Sequence, residues 1–332
     1  MRVGVTGGAG YIGSHVVCDL LGAGHDVVVL DDLSTGYAAA LGRVAELAGR
    51  RPEFVRTDVA DAPRVRDALR GCAAVIHLAA FKMVGESMDN PALYFRNNVG
   101  GMASLLESME AVGVRRLLYS SSAAVYGTQT TMPIAESAEL RPENPYGLTK
   151  VHGEQMLDWM VRTRGWSGVS LRYFNPVGAH PSGRIGQPTE GAVALVPRTL
   201  QALLRPSAPL SIFGTDWPTE DGTCLRDYIH VCDLSRAHLL ALSLLESPGH
   251  RILNVGTGRP HSVLEVLGAC SRVAGREVPC VNAPRRSGDM ACAVADPSRF
   301  AELTGFVAEF GLESMVDSAW RWATENPAGY GA

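Results

Sequence analysis

Lysine is almost missing from this chain: 28 of its 30 basic residues are arginine, and the two exceptions are Lys82 and Lys150. An excess of one charge is missing too. Thirty basic residues face 34 acidic ones, and a net charge of −4 gives no electrostatic reason to expect nucleic acid or an anionic membrane surface. The seven cysteines (Cys18, Cys72, Cys224, Cys232, Cys270, Cys280 and Cys292) are odd in number and never spaced CxxC, which argues against a disulfide framework or a thiolate metal site and for a reducing compartment. The nine histidines show no metal-ligand spacing, so no metal is expected, and His15 and His77 are read as packed or hydrogen-bonded residues. Apolar runs of membrane-spanning length are absent, and a chain that opens on RVGVT leaves no room for a signal peptide. The expectation is a cytosolic protein without repeats or low-complexity tracts.

What is present is an alternation. RVGVT (2–6), DVVVL (26–30), EFVRT (53–57), AAVIHLAA (73–80), RRLLYSSS (115–122) and GVSLRYF (168–174) read as strands, with helical patterns between them at Tyr11 to Leu21 and Pro91 to Val112. Near-continuous apolar strands alternating with helices predict an α/β fold, a doubly wound parallel sheet covered on both faces. Beyond residue 175 the pattern loosens into GAHPSGRIGQPTEG and short pieces such as LSIFG (210–214) and RILNVG (251–256). We therefore expect a nucleotide-binding domain over 1–174 and a smaller mixed substrate domain over 175–332, with the chain able to cross back into the first.

TGGAGYIGSH places Gly7, Gly10 and Gly13 between strand one and helix one, where glycines let backbone and helix N-terminus approach a pyrophosphate. The spacing is wider than the usual dinucleotide fingerprint, but its context is right for a Rossmann-type fold. The next strand ends at Leu30, and Asp31 follows, 18 residues after Gly13. A carboxylate there can accept from ribose hydroxyls and would repel a 2′-phosphate, which favours NAD over NADP. Asp58, after strand three, suits either the adenine amine or a turn cap.

In RPENPYGLTK, Asn144 and Pro145 read as N-cap and first helical residue, so Tyr146 falls in the opening turn and Lys150 one turn later on the same face. A phenol is a poor base at neutral pH, with a reference pKa of about 10. A nearby ammonium, a cationic nicotinamide and the positive helix end would each favour the phenolate. The two surviving lysines stand at this pair and just after VIHLAAF, where a compact ammonium serves better than a planar guanidinium.

TGGAGYIGSH, VIHLAAFKMVGES, SSSAAVYG, NPYGLTK, LRYFNPVGAHPSG, IFGTDWPTEDGTCLRDYIHV and APRRSGD together resemble the extended short-chain dehydrogenase/reductase family, specifically its UDP-glucose 4-epimerases, over nearly the whole chain. The resemblance implies that Tyr146 takes the proton of the sugar 4-hydroxyl, that Lys150 holds the nicotinamide ribose, and that Ser122 bonds the reacting oxygen. It implies tightly held NAD, bound by Gly7, Gly10, Tyr11, Ile12 and Gly13 in the first turn. Asp31, Asp32, Leu33, Ser34, Thr35 and Gly36 would follow, then Asp58 and Val59, then Leu78, Ala79, Ala80 and Lys82, with Asn97 and Phe174. For the UDP-sugar it implies Asn175, Arg226 and Arg286 at the diphosphate, Ser211, Ile212 and Phe213 at the uracil, Asp289 at the ribose, and Ala194, Leu195, Tyr228 and Ala293 in the remaining contacts. The family's dimers suggest a homodimer formed through the helices Pro91 to Val112 and Tyr146 to Arg162.

Ala123 and Ala124 narrow the chemistry. Related dehydratases and decarboxylases carry an acid at one or both positions, as elimination requires. Alanine can neither give nor take a proton, so a ketosugar could only be reduced again. Ala194 stands where some members have asparagine, and Ala293 where glucose/galactose-restricted members have tyrosine. Both leave room for N-acetylated or uronic sugars as alternative substrates. A nucleotide-sensing protein on the same fold is a further alternative, but such proteins typically lose the tyrosine–lysine pair. Cys292 lacks a base partner in the sequence and is assigned no catalysis.

Overall fold

The computed structural model describes residues 1–205, 209–286 and 289–331, and the chain divides into two compact units. The first comprises Met1–Gly127, Glu139–Tyr173 and Ser235–Asn254; the second comprises Thr128–Ala138, Phe174–Leu234 and Val255–Ala332.

The first unit holds β1 (Arg2–Thr6), β2 (Asp26–Asp31), β3 (Glu53–Arg56), β4 (Ala74–His77), β5 (Arg116–Ser122) and β6 (Ser167–Tyr173). They form a seven-stranded sheet in the order β10-β6-β5-β4-β1-β2-β3, where β10 is Gly249–Val255. β1 pairs in parallel with β2 and β4, β2 with β3, β4 with β5, and β5 with β6. Successive residues serve opposite faces, as a pleated strand requires. On β2, Val28 and Leu30 pack with Val65, Leu69, Met102 and Met109 of the helices Ala62–Leu69 and Gly101–Ala111, while Val29 lies toward Val17 of the helix Tyr11–Gly22. Both faces are covered over the middle of the sheet, so β1, β2 and β4 are apolar in their interiors, while the edge strand β3 is largely exposed.

Two predicted elements are shorter or more broken than the sequence pattern suggests. The strand read over 73–80 stops at His77, because the backbone at Leu78 and Ala79 turns under Gly7. The helix read over Pro91 to Val112 is Pro91–Tyr94, then a π-helical turn Phe95–Gly100, then Gly101–Ala111. Asn98 in that turn accepts from the amide of Phe81 at 2.9 Å and donates to its carbonyl at 3.0 Å. A regular helix would rotate Asn98 off this double bond; π-turns of this kind recur at functional sites.

The second unit carries β7 (Asn175–Val177), β8 (Leu210–Phe213), β9 (Leu225–His230), β11 (Pro260–Ser262), β12 (Cys280–Ala283) and β13 (Cys292–Ala293). β9 pairs with β7, β11 and β13; only β11 is antiparallel to it. β8 pairs with β12 in parallel. A core of Val196, Leu200, Leu210, Ile212, Val266 and Met315 packs helices Leu195–Leu204, Val263–Ala274 and Leu312–Glu325 together. Among the described residues no helix is long and apolar enough to cross a membrane.

Each unit buries a neutral histidine. His77 bonds Thr6 Oγ1 at 2.7 Å and stacks on Tyr119, and burial, helped by the charge of Lys150, pushes it down to about 3. His230 accepts from the amide of Cys232 and so donates through Nε2 to Ser318; burial, then His180, pushes it down to about 4. Unfolding releases both to about 6.5, so the unfolded chain binds more protons, and stability is full above that value and lost as pH falls below it. Each histidine should cost about 2 kcal/mol between about pH 7 and about pH 5. Urea titrations at the two pH values, with proton uptake on unfolding, test this; a pH-independent stability would refute it.

Candidate active site

In the first unit the glycine turn is set by close approach. Gly7 has φ +70°, and a Cβ there would meet the amide nitrogen of Ala79 at 2.7 Å. At Gly13 a Cβ would lie 2.1 Å from the carbonyl oxygen of Gly7, so only glycine allows helix and turn to touch. Gly10 is the N-cap of Tyr11–Gly22, and no side chain caps that end. Uncapped helical amides beneath a glycine turn form an anion cradle.

Asp31 lies at the end of β2 and is 7% exposed. Its Oδ2 accepts from the amide of Ala9 and its Oδ1 from that of Leu33, both at 2.9 Å. Burial raises its carboxyl and the two amides pull it back. Each oxygen keeps a lone pair for a ribose hydroxyl. Leu33 takes φ +65°, a left-handed conformation that a branched side chain adopts only at a cost. Gly36 borders Asp31, where a Cβ would meet Oδ1 at 2.8 Å. Asp32 accepts from the amide and hydroxyl of Ser34, and Thr35 is exposed beside it. Asp58 is exposed and caps the amide of Ala60 at 2.8 Å, while Val59 is buried against Gly101. Cradle, acid and small-residue turn fit a dinucleotide with a free adenosine 2′-hydroxyl. Tyr11 and Ile12 open the cradle helix; Leu78, Ala79 and Ala80 follow β4; Lys82 is exposed, and Asn97 donates to Asn98 at 2.9 Å.

The tyrosine and lysine stand on the helix Pro145–Arg164. Asn144 caps it, accepting from the amide of Gly147 at 2.8 Å, and Pro145 occupies the first turn. Gly147 packs against the backbone of Ala124, where a Cβ would meet the carbonyl oxygen at 2.5 Å. Ala123–Val125 is a single 3₁₀ turn capped by Ser122, whose Oγ accepts from the amide of Ala124 at 3.2 Å. That leaves its hydroxyl proton to favour the Tyr146 phenolate. Lys150 Nζ is buried, donates to the carbonyl of Ser120 at 2.8 Å, and lies 5.8 Å from the Tyr146 ring centre. Burial pushes Lys150 down to about 7, opposed by Glu154. Tyr146 itself is raised by burial, and only Ser122 pulls it down. The lowering expected from the lysine is therefore not achieved by the chain's own groups; desolvation of the phenolate outweighs the single hydrogen bond.

In the second unit, the structure brings several predicted residues together around Asp289. Its carboxylate accepts from Arg286 Nε at 3.1 Å and lies 3.7 Å from Arg226. The Arg286 guanidinium covers the Phe213 ring at 4.4 Å. Ala293 is in register with Arg226. Asn175 is in register with Tyr228 and donates to the carbonyl of Asp227 at 2.8 Å. Phe174 is buried, Ala194 is the N-cap of Leu195–Leu204, and Ser211 is partly exposed. Ile212 and Tyr228 face the core, and Leu195 packs against it, which leaves these three backbone rather than side-chain contacts to offer.

The sequence motifs do not single out Asp227, Arg285 or Asn98. Asp227 is fully buried and accepts from Thr257 N and Oγ1, Gly258 N and Ala295 N, tying two loops to β9. Arg285, neighbour of Arg286, stacks on Trp217 at 4.0 Å; the paired arginines of APRRSGD were its only signal. Asn98, which fixes the Phe81 backbone, carried no signal. Among the described residues no group of three or more His, Cys, Asp or Glu is arranged to hold a metal ion.

The NAD dependent epimerase/dehydratase family matches residues 3–256. The chain is 47% identical to UDP-glucose 4-epimerase of Bacillus subtilis over 99% of both chains. A crystal structure of UDP-glucose 4-epimerase from Stenotrophomonas maltophila, with bound NAD and formylated UDP-arabinopyranose, superposes with TM-score 0.96 at 42% identity over 99% of each chain. One from Bifidobacterium longum, in complex with NAD+ and UDP, gives TM-score 0.94 at 38% identity, covering 99% of this chain and all of that one. With a glycine cradle, an acid at the end of β2 and a capped tyrosine–lysine helix in a parallel sheet, the chain belongs to the NAD dependent epimerase/dehydratase family, within its UDP-glucose 4-epimerases.

Proposed function

We propose that this protein interconverts UDP-galactose and UDP-glucose by inverting carbon 4, with NAD as a retained prosthetic group. The observation that carries the reading is Tyr146 in the first turn of a capped helix, one turn from a buried Lys150 whose Nζ lies 5.8 Å from its ring centre. Tyr146 takes the 4-hydroxyl proton, Ser122 bonds the same oxygen, and Lys150 holds the nicotinamide ribose and favours the phenolate. NAD, when bound, would supply the hydride acceptor for carbon 4 and the donor for its reduction again on the opposite face. The glycine cradle and Asp31 hold its pyrophosphate and adenosine ribose, with Asp32 to Gly36, Asp58, Val59, Leu78 to Ala80, Lys82, Asn97 and Phe174 as further contacts. Asn175, Arg226 and Arg286 take the diphosphate of the UDP-sugar, Phe213 with Ser211 and Ile212 the uracil, and Asp289 the ribose; fork-shaped guanidinium donors suit phosphate oxygens. With alanine at 123 and 124, neither of those two positions offers a group to start an elimination from the ketosugar. We further propose a cytoplasmic homodimer; Trp159 and Leu93, exposed on the two helices named above, support that surface.

Purified protein incubated with UDP-galactose, without added NAD, should form UDP-glucose, followed by chromatography. No product with or without NAD would overturn the reading.

A second reading concerns the sugar. Ala293, small and in register with Arg226, supports turnover of UDP-N-acetylgalactosamine as well. Ala293→Tyr should cut that turnover about tenfold or more while sparing UDP-galactose. A wild-type enzyme that leaves the N-acetyl sugar untouched would show the space is not used.

A further inference from the structure

We propose that Glu154, fixed by Arg172 and Ser121, is a positioning residue that keeps Lys150 in its ammonium form beside Tyr146. The inference rests on the epimerase reading above. Tyr146, Lys150 and Glu154 recur every four residues on one helix, so they form a single stripe. The serine run at the end of β5 meets that stripe residue by residue. Ser122 favours the Tyr146 phenolate, the Ser120 carbonyl accepts from Lys150, and Ser121 Oγ donates to Glu154 Oε1 at 2.5 Å. Arg172, in register with Ser121 on β6, forks onto both Glu154 oxygens at 2.8 Å and 2.6 Å. Its remaining arm donates to Tyr126 at 3.0 Å, and Tyr126 donates to Asn254 at 2.6 Å. Lys150 and Glu154 are each 3% exposed and Arg172 is 2% exposed.

An ammonium this deep, with one carbonyl acceptor, tends to shed its proton. The groups around it are Tyr146 and Glu154 from its own helix, the Tyr119 ring at 5.2 Å on β5, and neutral His77 on β4. From β6 come Tyr173, joined to Ser120 Oγ, and Arg172. Glu154 is the only carboxylate in this set, and its charge opposes the burial of Lys150. A buried ion pair adds little stability over a well-packed apolar pair, so stability alone does not call for one here. A second function for the carboxylate, one turn from the lysine, does.

The near-absence of lysine makes the test direct. Protein labelled with ¹³C at lysine shows two side-chain signals, Lys82 and Lys150, and Lys82→Arg assigns them. In the purified holoenzyme Lys150 should titrate far below an ordinary lysine, and in Glu154→Gln its midpoint should fall by about one pH unit or more, while Glu154→Asp stays close to wild type. The alkaline limb of the pH–rate profile should move down in step. A merely structural carboxylate would lower thermal stability without moving the lysine midpoint, and an unmoved midpoint overturns the inference. Should Glu154→Gln not fold, Glu154→Gln with Arg172→Met removes both buried charges; Lys150 should still titrate below wild type, and an equal or higher midpoint is likewise fatal. If Tyr146→Phe keeps full turnover, the epimerase reading falls and the lysine titration stands. If Tyr146→Phe is inactive but the lysine does not respond, this inference alone falls.

Discussion

Tyr146→Phe should lower turnover of UDP-galactose by about 10³-fold or more while leaving the fold and the retained NAD in place. The phenyl ring keeps its place in the helix's first turn and its packing beside Lys150, whose ammonium lies 5.8 Å from the ring centre. What disappears is the one oxygen that can accept the 4-hydroxyl proton, and general-base assistance of this kind contributes about 10²- to 10⁴-fold. The deficit should appear in kcat with little change in KM, since the hydroxyl is assigned no share in holding the nucleotide. Ser122→Ala should cost less, because Ser122 only favours the phenolate and takes no proton itself. A phenylalanine variant with wild-type kcat would remove Tyr146 from the chemistry. Circular dichroism and NAD content measured on the same sample separate that outcome from misfolding.

The high position of the Tyr146 phenol in the chain by itself gives this prediction a second edge. Burial raises it, and Ser122 offsets only part. Positive charge beside the ring then has to favour the phenolate, which places the whole demand on Lys150 and the nicotinamide. Lys150, pushed down to about 7, can meet that demand only while it holds its proton. Activity should therefore be confined on the alkaline side by the lysine rather than by the tyrosine.

How much of this could be read from residues alone depends on how local the cause is. β1 begins and ends where its apolar run does, and β5 ends on the serine run, because continuous β-branched and apolar residues can only be satisfied between two covered faces. Asn144 as cap and Pro145 in the first turn were readable for the same reason: both act within four residues. The π-turn at Phe95–Gly100 was not readable, since what favours it is a bond from Asn98 to Phe81, across 17 residues of sequence. Arg172 and Glu154 were hidden in the same way. Each looks like an ordinary surface charge until the register of β5 against β6 sets Arg172 beside Ser121. Asp227 gave no sign either, because its four donors come from Thr257, Gly258 and Ala295, brought to β9 only by the folded loops. Motif-borne chemistry was therefore visible, and the buried polar supports under it were not.

Gly13→Ala carries the other large effect, and it is steric. The added methyl would sit 2.1 Å from the carbonyl oxygen of Gly7 and 2.7 Å from Cα of Gly8. Both obstacles are backbone, so no rotamer change relieves the clash. The Gly7 side cannot yield, since its own Cβ position is closed by Ala79 and its amide is bound to the carbonyl of Leu30 at 2.8 Å. The helix Tyr11–Gly22 must then tilt away from the turn, which opens the cradle and breaks its packing on β2. Overpacking of this kind typically costs about 1–3 kcal/mol, and more where backbone meets backbone. Thermal stability should fall by several degrees, and the purified variant should carry little NAD. Gly10→Ala is the discriminating control: its Cβ would approach only the Gly7 oxygen, at 3.3 Å, so the fold should survive with a milder loss of cofactor. If Gly13→Ala keeps both its stability and its full complement of NAD, helix and turn do not meet as closely as described, and the cradle is not what holds the dinucleotide.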